Sequence, residues 1–148
     1  MRSEFDSRQV HILKMGETTI VKALVVNDGK LLLLKKVGGK IDSHKGCWEA
    51  PGGKVETGCD LKDELMRELS EEIGMQGKII KSLAPWSWKH GEISEKCNVY
   101  LVEIENQKIV LSDEHSDFIW IDPRDMEKME NIIFKEKFIE YLREAELI

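Results

Sequence analysis

Glu68, Glu71 and Glu72 stand at i, i+3 and i+4, directly after Arg67, in the stretch Leu61 to Met75. On a helix that spacing places all three carboxylates on one face. Like charges at such spacings cost a helix a few tenths of a kcal/mol per pair. A hard divalent cation would reverse the sign, because it holds carboxylate oxygens together while keeping waters for a phosphate-bearing ligand. The bend Gly52-Gly53-Lys54 lies just upstream.

The elements that must position these groups are legible from pattern. Leu61, Leu65, Leu69 and Ile73 recur every four residues as one apolar helical stripe, with Asp60 as N-cap and Gly74 as the residue after the helix. Thr18 to Val26 is rich in Val, Ile and Thr, and Asn27-Asp28-Gly29 is a turn signal before the continuous run Leu31 to Leu34. That predicts a hairpin whose second strand is buried on both faces. Val37 to Gly46 reads as a glycine-rich loop, Lys78 to Trp88 and Lys96 to Glu105 as strands, and Phe118 to Ile121 as a short strand. Asp122-Pro123 opens a brief helix with Pro at its first position. A last helix places Phe134, Phe138 and Leu142 on one face and ends near Ala145. A mixed sheet with at least two helices follows, hence α/β (α+β).

Composition narrows the function classes. At 148 residues, with 41% hydrophobic and 34% charged residues, the chain is expected to be a single folded domain over 1–148, with 1–15 a loose lead-in. The net charge of -6 argues against stable binding of nucleic acid, which needs Lys and Arg clusters. No apolar run approaches membrane-spanning length, and the start lacks a signal-peptide core. Cys47, Cys59 and Cys97 form no C-x-x-C pair, which fits free thiols in a reducing cytoplasm. Trp86 and Trp88 would share one side of a strand and can stack a nucleobase, although paired indoles more often pack. His44 beside Lys45 is a loop histidine able to meet a phosphate. A P-loop is excluded, since Lys54 is followed by Val55 and the first glycine is missing.

The stretch from Gly53 to Met75 resembles the Nudix box, G-x5-E-x7-R-E-U-x-E-E-x-G-U, with U a bulky aliphatic residue. Gly53 fills the first position and Arg67-Glu68-Leu69-Ser70-Glu71-Glu72-Ile73-Gly74-Met75 the second half; eight of the nine fixed positions agree. Alone, the Glu run would read as the solvated face of an amphipathic helix; within this order it reads as a metal site. The resemblance implies a Nudix-type mixed β-sheet sandwiched between helices. It also implies a MutT-like hydrolase that cleaves a pyrophosphate bond in a nucleoside diphosphate linked to another group, with a (d)NTP or similar small nucleotide as the expected substrate.

On the same footing, Mg²⁺ or Mn²⁺ is held by Glu68, Glu71, Glu72 and the carbonyl of Gly52. Arg67 orients a carboxylate, and Lys54 touches phosphate oxygens. A late-loop Glu acts in the family as general base or extra metal ligand, and Glu114 is the candidate, with Glu71 or Glu72 as the alternative base; Asp117 is a candidate to read a base edge. A homodimer is compatible with the family. The departure is Cys59, where the family has its first Glu; a thiol there is expected to leave Arg67 without its usual partner. It motivates the rival reading of a binding or regulatory module with weakened catalysis. A hydrolase of ADP-ribose or dinucleoside polyphosphates is a further alternative.

Overall fold

The computed structural model describes residues 17–37, 44–56 and 58–148, so the lead-in and most of the Val37 to Gly46 loop lie outside the described residues. The strands are β1 (Glu17–Asn27), β2 (Lys30–Lys36), β3 (Trp48–Glu49), β4 (Gly52–Val55), β5 (Lys78–Ser82), β6 (Trp86–His90), β7 (Ile93–Glu103) and β8 (His115–Ile121). The helices are α1 (Leu61–Ile73) and α2 (Lys135–Glu144), with a 3₁₀ turn at Pro123–Lys128.

β1 and β2 form the expected hairpin, closed by Asp28 at φ 51° and Gly29 at φ 74°. Both central residues lie at positive φ, the pattern of a tight I′-type connection. β1 also runs parallel to β7, from Glu17 opposite Ser94 to Val26 opposite Glu103. Its first half takes β4 as an antiparallel neighbour, Lys22 facing Gly52. β8 joins through β2, and β5 and β6 join through β7, making one mixed sheet of eight strands.

Leu31, Leu32, Leu33 and Leu34 are all fully buried, and they alternate between two cores. Leu32 and Leu34 join Val21, Ala23 and Val25 beneath Leu65, Leu69 and Ile73 of α1. Leu31 and Leu33 join Leu24, Val99 and Leu101 beneath Phe138 and Leu142 of α2. The sheet is therefore covered on both faces, which explains why β2 is a continuous apolar run rather than an alternating one.

α1 begins and ends where its caps dictate. Asp60 accepts a bond of 3.0 Å from the Asp63 N–H, and Gly74 sits in the left-handed region at φ 78°.

The structure corrects the sequence reading in two places. Lys78 to Trp88 is not one strand but β5 and β6, separated by Leu83-Ala84-Pro85. Pro85 has no N–H for the ladder, and α2 clasps the break: Tyr141 donates to the Ala84 carbonyl at 2.6 Å, and Glu144 accepts from the Ala84 N–H at 2.8 Å. Phe134 does not share the face of the last helix. It precedes α2 in a left-handed conformation, φ 52°, and is 51% exposed.

Candidate active site

α1 delivers its carboxylates to the bend at Gly52-Gly53. Glu72 lies in the buried stripe, 4% exposed, and its Oε1 accepts the Gly52 N–H at 2.9 Å. The two glycines make that approach possible. Gly52 sits at φ 140°, and a Cβ there would lie 2.0 Å from the Val21 carbonyl oxygen; a Cβ on Gly53 would lie 3.0 Å from Oε2 of Glu68. Backbone without side chains lets β4 press on β1 and leaves room for the Glu68 carboxylate.

Burial governs the charge of both acids. It pushes the Glu72 carboxyl up to about 7, against the opposing charge of Lys22 and the Gly52 N–H. Burial also raises Glu68, helped by the charges of Glu71 and Glu114 and opposed by Arg67.

Glu71 differs from its neighbours. Its side chain is 58% exposed and takes Arg67 Nη1 at 2.7 Å. Arg67 also reaches Glu64 at 2.9 Å and Glu68 at 3.4 Å. With Cys59 in place of the family's first Glu, Arg67 finds a carboxylate in Glu64, one turn earlier on α1, which it meets through two guanidinium nitrogens. Cys59 itself is exposed.

A cavity of about 1030 Å³ opens beside these groups. Gly52, Lys54, Glu68, Glu71, Glu72 and Glu114 all line it, so the late loop and α1 share an acidic wall. Trp86 and Trp88 form an aromatic wall. They project from the same side of β6, with ring centroids 4.4 Å apart, and Phe134 meets Trp86 edge-on at 4.9 Å. His44 also lines the cavity. Asp117 does not; it is exposed on β8, where its carboxylate accepts the Phe118 N–H at 2.8 Å.

Sequence reasoning missed a buried polar chain in the cavity wall. Lys22 Nζ donates to Glu49 Oε1 at 3.1 Å and to the Ala50 carbonyl at 3.0 Å, and Glu49 Oε2 meets His115 Nε2 at 2.8 Å. Burial alone would raise the Glu49 carboxyl, but the Lys22 charge and the His115 hydrogen bond outweigh it and hold it at about 2. Burial likewise disfavours charge on Lys22, yet Glu49 and Glu72 raise it above its ordinary value. A signal existed: Lys22 interrupts the apolar side Ile20, Lys22, Leu24 of β1.

Among the described residues, no three carboxylate, imidazole or thiol groups already converge as a ready-made metal cage. The chemistry of the acidic wall nonetheless fits a hard cation. Its donors are oxygens, and Glu68 is crowded by the charges of Glu71 and Glu114 that a dication would neutralise.

A NUDIX domain model matches residues 17–142. The chain belongs to the Nudix family. It is 32% identical to the nucleoside triphosphatase NudI of Escherichia fergusonii, across 76% of this chain and 86% of that one. Its fold is similar to the MutT protein of Methanosarcina mazei Go1, with a TM-score of 0.74, 26% identity and 87% and 95% of the two chains covered. The NUDIX domain of Shewanella oneidensis NrtR, solved with ADP ribose, superposes with a TM-score of 0.73 at 20% identity, covering 98% of each chain. The protein is a Nudix hydrolase. No helix among the described residues is long and apolar enough to cross a membrane.

Proposed function

We propose that this Nudix hydrolase cleaves a pyrophosphate bond in a nucleoside triphosphate or a similar small nucleotide, with Mg²⁺ or Mn²⁺. The observation that carries the reading is the shared cavity: the α1 carboxylates and a tryptophan pair line one space of about 1030 Å³. Similarity to a nucleoside triphosphatase at 32% identity supports the substrate class. A divalent cation at the acidic wall would offset phosphate charge and lower the pKa of a bound water.

The chain's own groups do the rest. Glu68, Glu72 and the Gly52 carbonyl would hold the cation, with Glu71 the remaining candidate ligand. Arg67 restrains Glu71 and Glu68 through its contacts on α1. Lys54, exposed at the rim, contacts phosphate oxygens. Glu114, from the late loop, would add an oxygen to the cation's ligands and accept the water's proton on its carboxylate. Trp86 and Trp88 receive the base.

Glu72→Gln is expected to lose nearly all turnover with the fold intact, because Gln keeps an acceptor for the Gly52 N–H but removes the charge. Turnover close to the parent rate would show the metal-site assignment to be wrong. A panel of (d)NTPs, oxidised dNTPs, ADP-ribose, dinucleoside polyphosphates and NADH, with phosphate and pyrophosphate measured separately, decides the substrate and the bond.

A further inference from the structure

Within Asp113 to Asp117 only His115 is buried, at 5% exposure; its four neighbours are exposed. Bonds to Ser112 and Val37 hold the turn into β8. The Glu114 N–H reaches Ser112 Oγ at 3.4 Å, the His115 N–H reaches the Ser112 carbonyl at 3.4 Å, and the Glu114 carbonyl accepts the Val37 N–H at 3.1 Å. The β2–β8 ladder slips between Lys35 and Lys36, opposite Asp117 and His115. A slip of that kind re-aims the side chains beside it. Here it turns the imidazole inward onto Glu49 of β3, whose other oxygen is fixed by Lys22 of β1.

The arrangement is costly as packing. His115 Nδ1 is buried with no hydrogen-bond partner among the described residues, a penalty an apolar side chain would avoid. What the fold gains is a fixed point one residue from Glu114, on a wall of the cavity that Glu68 also lines.

We propose that His115, anchored through Glu49 to Lys22, is a positioning residue that holds Glu114 beside Glu68 at the acidic wall. The inference rests on the reading of that wall given above. Three strands contribute one member each, so the loop's position is referred to the centre of the sheet rather than to its own exposed turn.

The test is a double-mutant cycle of His115→Phe with Glu114→Gln, read as kcat and KM on the best nucleotide and as Mn²⁺ binding to the nucleotide-free protein. His115→Phe is expected to lower kcat and to weaken Mn²⁺ binding by about 10- to 100-fold, as loss of a supporting partner does, with KM nearly unchanged. His115→Gln, which keeps a side-chain N–H for Glu49, recovers most of both losses. In the Glu114→Gln background, His115→Phe adds little.

A loss that adds in full on top of Glu114→Gln, or a His115→Phe variant with parent kcat and Mn²⁺ affinity, overturns the proposal. Should His115→Phe fail to fold, Glu49→Gln takes its place in the same cycle, and an effect independent of Glu114 overturns it equally. Glu72→Gln serves as the separate check: parent-like turnover there sinks the reading of the acidic wall itself, whereas its loss together with an additive cycle sinks only the role of His115.

Discussion

Glu71 and Glu72 are sequence neighbours in opposite circumstances. Glu72 is buried against bare backbone and bonded to Gly52, while Glu71 is exposed and paired with Arg67. The helical period rotates consecutive residues by about 100°, so one faces the sheet and the other the solvent edge of the same wall. The i, i+3, i+4 spacing was readable because it is local. Which of the three acids would be buried was not, since that depends on where β4 crosses α1. The same locality decides the Cys59 question. Arg67 already has Glu64, Glu68 and Glu71 within reach, so a carboxylate restored at position 59 adds one more exposed ion pair, worth about 0–1 kcal/mol. Cys59→Glu is therefore expected to change kcat/KM by no more than about fivefold. A large gain in a steady-state assay would show that the natural protein is catalytically impaired.

At the scale of elements, Lys22, Glu49 and His115 tie β1, β3 and β8 together across separations of 27 and 66 residues. No spacing rule reaches that far, so the chain was invisible in the sequence except for the misplaced charge of Lys22. The break between β5 and β6 was different. Pro85 marked it, but the β-forming residues on either side masked it, and only the clasp from Tyr141 and Glu144 explains where it falls.

The buried chain has a pH signature. The folded Glu49 carboxyl sits at about 2, below its ordinary 4.5. A depressed acid contributes stability that is present above its unfolded pKa and lost as pH falls through the folded one. Denaturant unfolding is expected to show stability declining from about pH 5 toward pH 2, with this group contributing on the order of 3 kcal/mol. Glu49→Gln should lower stability at pH 7 and flatten that decline. An unchanged slope in the variant would remove Glu49 as its source.

For the whole molecule, the cavity joins walls of opposite character on a chain of net charge -6. That balance suits a ligand that arrives with its own cation better than one drawn in by a basic surface. The fold class and the covered sheet were legible from periodicity, whereas the cavity was not. It exists because the parallel pairing of β1 with β7 sets Ile20 beside Cys97, and β6 then sets Trp86 beside Cys97 on the same face. If the tryptophans stack the base, Trp86→Ala and Trp88→Ala should each cost about 1–3 kcal/mol, or roughly 5- to 150-fold in kcat/KM, mainly through KM. A fall confined to kcat would assign them to packing instead.

Gly52 and Gly53 give the scaffold an uneven capacity to change. The same absent side chains let β4 lie on Val21 and admit Glu68 and Glu72, so foldability and chemistry cannot be traded against each other at that bend. At the opposite wall, Trp86 and Trp88 pack on one another, on Phe134 and on the edge of the core, and all three rings are partly open to solvent. Substitution is open to that wall, while the Gly52-Gly53 end of the cavity is held fixed by its own backbone.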